Sequence, residues 1–260
     1  MISYGNPAFD ILEPHACLAF LRALDQGVDA SFNIECYTDV PKGTTKPNPD
    51  PLLTRFAGLT LEEVAHLIPE LIGLNERGAG IFTTVNRCMG HRSINNVSKV
   101  RAVHADVDAA TDQQRKTLVE SLTPSIIVTS SEPTKLHLYW LLNDDAAIEK
   151  DKVGQLNKLL ARDYGADTAA TDIARILRLP GFKHMKYRHL GQTPKVSAAY
   201  NDRVYSLSEV QAAFPPTQSS PPVRATPRNF RLDLSTIEAE VIAEMKLRCP
   251  ELWSGAWEQA

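Results

Sequence analysis

Long apolar runs are missing from this chain. No stretch approaches the ~18 consecutive apolar residues that a membrane-spanning helix needs, so no such helix, and no membrane partner, is expected. The start, Met1-Ile2-Ser3-Tyr4-Gly5-Asn6, has no basic segment followed by an apolar one, and no secretion signal is expected. Cysteine is sparse. Cys17, Cys36, Cys88 and Cys249 are scattered without a Cys-x-x-Cys pair, which fits a reducing, cytoplasmic setting. Cys88 and His91 have a zinc-like spacing, but no second pair lies near them, so zinc is not expected. Internal repeats and heptads are absent. Acid is also missing locally: residues 81–105 and 173–195 contain no Asp or Glu.

What is present is a globular composition. With 260 residues, 43% of them hydrophobic, the chain can bury a sizeable core in one large domain or two small ones. The net charge of −3 conceals an asymmetry: residues 173–195 carry six Lys/Arg, and residues 81–105 carry Arg87, Arg92, Lys99 and Arg101. Those basic stretches are either solvated faces or a surface for a polyanion.

Helices are expected from Pro14 to about Leu24, from the Thr60-Leu61-Glu62-Glu63 capping box to about Leu71, from Thr111 to about Leu122, from Ala146 to Tyr164 with Gly165 as its left-handed stop, and from Ser206 to Ala213. Strands are expected over Ser31–Thr38, Ile81–Val85, Val100–Asp108, Ser125–Thr129 and Lys135–Trp140, the last two forming a hairpin. Val40–Leu53, with four prolines, reads as a loop, and Val196–Tyr205 as a final hairpin. A short helix around Ile173–Leu177 would be capped by Asp172 or Asp167, preferably Asp172. Residues 214–230 read as a Pro/Ser-rich linker and 231–260 as a helical tail. The apolar end, Trp253 to Trp257, reads as a chain cut short or one that continues into another domain.

The strand Val103-His104-Ala105-Asp106-Val107-Asp108 carries the most specific chemistry. Alternation puts His104, Asp106 and Asp108 on one face. Two like charges side by side point either to a solvated turn or to a hard divalent cation. Downstream come Ser131-x-x-x-Lys135-x-His137-Leu138-Tyr139-Trp140, then Gly165-x-Asp167, and then Asp172-x-x-Arg175-x-x-Arg178-Leu179-Pro180-Gly181 followed by Lys186.

In that order these motifs resemble the archaeo-eukaryotic primase superfamily, and within it the RepB-like replication primases and primase-polymerases of plasmids and phages. The resemblance covers about Gly78 to Phe214. It implies an α+β catalytic domain over residues 1–213, with an N-terminal α/β part over 1–77. A motif-bearing part over 78–213 would be built on an antiparallel sheet of the RNA-recognition-motif type, its acidic and His strands adjacent. It implies Asp106, Asp108 and Asp167 as catalytic carboxylates holding two Mg²⁺ or Mn²⁺ ions, with Asp172 a rival third. Ser131, Lys135, His137, Arg178 and Lys186 would bind the nucleotide; Asn86, Arg87, Arg92, Arg175 and Lys183 would contact a single-stranded DNA template. The activity implied is nucleotidyl transfer from nucleoside triphosphates to a 3′-hydroxyl, with a replicative helicase fused or in trans. A DNA-binding initiator without polymerase activity and a metal-dependent nuclease or phosphohydrolase are the alternatives.

Overall fold

The structure is a computed structural model that describes residues 14–41, 43–143 and 150–217. Helix α1 (Pro14–Leu24) buries Cys17, Phe20, Leu21 and Leu24, the face its spacing predicts. Strand β1 (Phe32–Thr38) follows, then β2 (Thr54–Leu59) and α2 (Leu61–Glu76). Thr60 and Glu63 form the expected capping box, and α2 runs past Leu71 with Pro69 inside it. Strand β3 (Ala79–Thr84) leads into β4 (Arg87–Cys88) and β5 (Val97–Lys99), a small hairpin where the sequence showed only a polar connection.

Strand β6 (Ala102–Val107) carries Asp106. Helix α3 (Asp112–Ser121), with its Thr111–Gln114 box, leads to the hairpin β7 (Ile126–Thr129) and β8 (Leu136–Leu141). Helix α4 (Lys150–Tyr164) ends at Gly165, whose φ of +82° explains the glycine; a Cβ there would also meet the Gln114 side chain at 2.5 Å. Strands β9 (Ile176–Arg178) and β10 (Ser197–Tyr200) and helix α5 (Leu207–Ala213) complete the described fold.

Two four-stranded antiparallel sheets result, in the orders β2-β1-β3-β9 and β10-β7-β8-β6. A division at residue 77 therefore does not separate the sheets, because β3 and β9 complete the sheet that β1 and β2 begin. One apolar core joins α1 and α2 to the first sheet and to Ile126, Val128 and Tyr139 of the second. The other packs Val103, Ala105, Val107, Leu138 and Trp140 against α3 and α4. The alternate residues of β6 and β8, among them Asp106 and His137, thus lie on the opposite face of that sheet.

Three expectations are corrected. Residues 173–177 form no helix, and β9 begins at Ile176. Asp172 therefore caps nothing and pairs with Arg175 at 2.7 Å, while Asp167 caps the single 3₁₀ turn Thr168–Ala170. Strand β10 pairs with β7 rather than with the segment after it, and Tyr205 bridges to Leu142. Phe214 is core rather than linker: it is 1% exposed and meets the rings of Trp140 and Tyr164 edge-on at 5.1 and 5.2 Å. The start assigned to α4 at Ala146, and the rest of the linker and tail from 218 onward, lie outside the described residues. No described helix is long and apolar enough to cross a membrane.

Candidate active site

Asp106 and His137 face each other across the β6–β8 ladder. Directly opposed residues of antiparallel strands share a face, so register alone sets the carboxylate beside the imidazole. His137 Nε2 lies 4.0 Å from Asp106 Oδ1, too far for a hydrogen bond. Asp106 Oδ1 and His137 Nδ1 are buried without hydrogen-bond partners, and so is the hydroxyl of Tyr139, one pleat repeat further along β8. Buried polar atoms are normally satisfied, so these atoms keep hydrogen-bonding capacity that no protein group uses.

The other carboxylates come from two directions. Asp108 follows the end of β6 and is exposed. Lys135, at the mouth of the β7–β8 hairpin, donates its ammonium to the Asp108 carbonyl. The Asp167 amide donates to the Asp106 carbonyl at 2.7 Å, and its carboxylate accepts from the Ala169 amide at 2.8 Å. Further along the open edge of β6, the Asn157 side chain of α4 accepts from the His104 amide, and the His104 ring meets the Ala170 carbonyl at 3.0 Å. The edge strand is thus capped by the segment that brings in Asp167. It is Asp167, not Asp172, that the backbone ties to the Asp106 strand.

Burial, and then the charges of Asp108 and Asp167, push the Asp106 carboxyl up to about 7, against the opposing pull of Arg175 and Arg178. Burial, with Arg178, His184 and His104 nearby, holds the His137 imidazole down to about 3, so it is neutral at physiological pH. Among the described residues no three His, Cys, Asp or Glu side chains stand close enough together to hold a metal ion as placed. The donor chemistry nevertheless fits a hard divalent cation: an unpartnered buried carboxylate oxygen whose ionisation two further carboxylates oppose.

The basic half arrives on the first sheet. Arg178, opposite Phe82 in the β3–β9 pairing, stacks its guanidinium 4.8 Å over the Phe82 ring and donates to Asp39 at 2.9 Å. The Lys186 amide also donates to Asp39, at 3.1 Å. Ser131 sits half-buried in the hairpin turn. Lys183 is half-buried, its amide held by Asn75 at 2.9 Å.

Two of the residues assigned to the template are engaged in contacts within the fold. Asn86 is fully buried; its amide donates to the Ile173 carbonyl at 2.9 Å and accepts from the Arg101 and Ala102 amides at 2.8 and 3.3 Å. Arg87 is spent on Asp25 and Asp29, and Arg101 joins it on Asp25 with its side chain 1% exposed. Arg92 pairs with Glu35 at 3.0 Å and is about one-third exposed, while Arg175 is held by Asp172. Sequence reasoning missed Asp39 and His184. Asp39 sat at a strand end, and His184 was counted only as part of a basic run; neither had a spacing signal, because their partners lie on distant segments.

The sequence pattern of the RepB DNA-primase N-terminal domain matches residues 53–213, more than half of the chain. The chain belongs to the RepB primase family. Among curated proteins no sequence matches. The crystal structure of primase RepB′ is similar, with 21% identity and a TM-score of 0.56 over 77% of this chain and 61% of that one. The catalytic domain of primase RepB′ in complex with initiator DNA matches with 20% identity and a TM-score of 0.53, over 77% of this chain and 92% of that one. The archaeo-eukaryotic primase domain of the cyanophage S-2L primase-polymerase gives 16% identity and a TM-score of 0.57, over 78% and 98%. The present chain thus spans about three-fifths of the longer RepB′ chain. At these identities the likeness establishes the fold, the α+β fold of archaeo-eukaryotic primases that the motif order implied.

Proposed function

We propose that this RepB-family domain is a DNA primase or primase-polymerase that transfers nucleotides from NTP or dNTP to a 3′-hydroxyl on a single-stranded DNA template. The observation that carries the reading is geometric: Asp106 faces His137 across the β6–β8 ladder, the Asp167 amide donates to the Asp106 carbonyl, and Lys135 donates to the Asp108 carbonyl. Family membership and the fold shared with a RepB′ domain bound to initiator DNA support it.

Asp106, Asp108 and Asp167 would hold the divalent cations, Mg²⁺ or Mn²⁺. Two such ions, when bound, activate the attacking hydroxyl and offset charge on the pyrophosphate as it leaves. The protein's own groups do the rest. His137, neutral and buried, donates a hydrogen bond to the triphosphate without carrying a competing positive charge against the metals. Arg178, Lys186 and Lys135 offset phosphate charge, and Ser131, in the same hairpin turn as Lys135, adds a hydroxyl. Arg92, Arg175 and Lys183 are the template contacts that remain once Asn86 and Arg87 are accounted for, and phosphate contacts of this kind weaken as salt rises. Plasmid or phage replication, with a helicase fused or in trans, is the setting this reading implies.

The test is incubation with unprimed single-stranded DNA, labelled nucleotides and Mg²⁺ or Mn²⁺, followed by sizing of products. Wild-type protein should make primers, and the double variant Asp106→Ala with Asp108→Ala should make none. Equal activity of the two would refute the site. DNA binding without incorporation would instead establish a non-polymerising initiator, and degradation of a labelled primer a nuclease.

A further inference from the structure

Asp39 follows β1 directly, yet its contacts lie almost entirely on a part of the chain some 140 residues away. One carboxylate oxygen accepts from Arg178 Nη2 at 2.9 Å. The other accepts from the amides of Met185 and Lys186, each at 3.1 Å, and lies 3.8 Å from His184 Nδ1. The Asp39 side chain is 7% exposed and that of Arg178 12%. Phe82 supplies the other wall for the guanidinium, and Tyr37 stacks on Phe82 with ring centroids 4.4 Å apart. One buried carboxylate therefore fixes both a side chain on β9 and the start of the turn that carries Lys186.

Arg178 also acts electrostatically on Asp106, whose Oδ1 lacks a partner. A buried guanidinium seeks a carboxylate, and a charge-assisted pair is far stronger than the neutral alternatives. We propose that Asp39 is the positioning residue of the basic half of the site: it holds Arg178 and the backbone that carries Lys186 as a preformed receptor for the triphosphate of the incoming nucleotide. This rests on the nucleotide-transfer reading above. Preforming the receptor spares the nucleotide the cost of ordering it.

The experiment measures equilibrium binding of labelled ATP and dATP with Mg²⁺ to wild type, Asp39→Asn, Arg178→Met and the double variant, each checked for folding by thermal melting. Asp39→Asn should bind about tenfold more weakly, with KM rising more than kcat falls. In the Arg178→Met background Asp39→Asn should add clearly less than its roughly tenfold loss in wild type, because part of its effect runs through Arg178 and the rest through the Lys186 turn. Asp39→Glu, which keeps the charge on a longer arm, should recover part of the loss and carries the test if Asp39→Asn does not fold. A folded Asp39→Asn that binds like wild type overturns the proposal, as do losses that simply multiply in the double variant. If wild type itself binds neither ATP nor dATP, the primase reading falls and this proposal falls with it. That result is distinct from wild-type binding that Asp39→Asn leaves intact.

Discussion

Replacing Asp106 by Asn should make the domain more stable while abolishing its activity. In the native protein the Asp106 carboxyl is pushed from 3.8 up to about 7, first by burial and then by Asp108 and Asp167. Keeping it ionised at pH 8 therefore costs roughly 4 kcal/mol. The side chain is 17% exposed, and the screening that water brings there reduces the effect to roughly 2–3 kcal/mol. An acid whose pKa rises on folding binds more protons in the native state between its two values. Stability therefore falls as pH climbs from about 4 to about 7 and stays low above that. Asn keeps the shape and removes the charge. In divalent-free buffer at pH 8, Asp106→Asn should melt about 5–10 °C above wild type; the gap should shrink by pH 5 and nearly close only at about pH 4. Millimolar Mn²⁺ should raise the wild-type melting temperature at pH 8 and leave that of the variant unmoved. A variant that melts at or below wild type at pH 8 without metal would refute the claim that this carboxylate is held at an electrostatic cost for binding a cation.

Asn86→Ala strands the Ile173 carbonyl and the Arg101 and Ala102 amides, all bound by the Asn86 side chain. It should lower the urea midpoint by the equivalent of about 2–4 kcal/mol and leave single-stranded DNA affinity of the folded protein unchanged; a selective loss of DNA binding would restore its template role. Gly80→Ala would put a Cβ 2.6 Å from the Phe82 ring and 3.0 Å from an Arg178 nitrogen, so the ring must shift and take one wall of the Arg178 slot with it. About 1–3 kcal/mol of stability should go, with nucleotide affinity falling alongside; unchanged affinity in the same binding assay would show that Phe82 does not place Arg178.

The second sheet was legible because its strands obey strict alternation. Val103, Ala105 and Val107 against His104 and Asp106, and Leu138 and Trp140 against His137 and Tyr139, each give a buried apolar face, and register follows once the apolar faces align. Three capping boxes gave the helix starts. The first sheet was only partly legible. Strand β2 is a half-exposed edge with Gly58 at φ +71°, and β9 is three residues long inside a run whose Ile, Leu and Ala content reads equally well as helix. Nothing local distinguishes those states; pairing of Arg178 with Phe82, almost a hundred residues upstream, does. The buried cations failed for a related reason. A run of Lys and Arg without acid looks like a surface, but Arg87 and Arg101 find their counter-charge in Asp25, whose carboxyl they hold down to about 2 despite its burial.

That pairing shows why residue type could nominate the acidic half of the site more reliably than the basic half. A buried strand carboxylate such as Asp106, with Asp108 just past the strand end, has few ways to be stable without a cation or water. An arginine has many, since any distant Asp will satisfy it. Arg87, Arg101 and Arg178 look alike in sequence and differ only in where their carboxylates point. Asp25 closes a buried ion cluster under the β4–β5 hairpin, whereas Asp39 holds Arg178 within electrostatic reach of Asp106. Partner position, rather than charge, separates a cation that holds the fold together from one available to a phosphate.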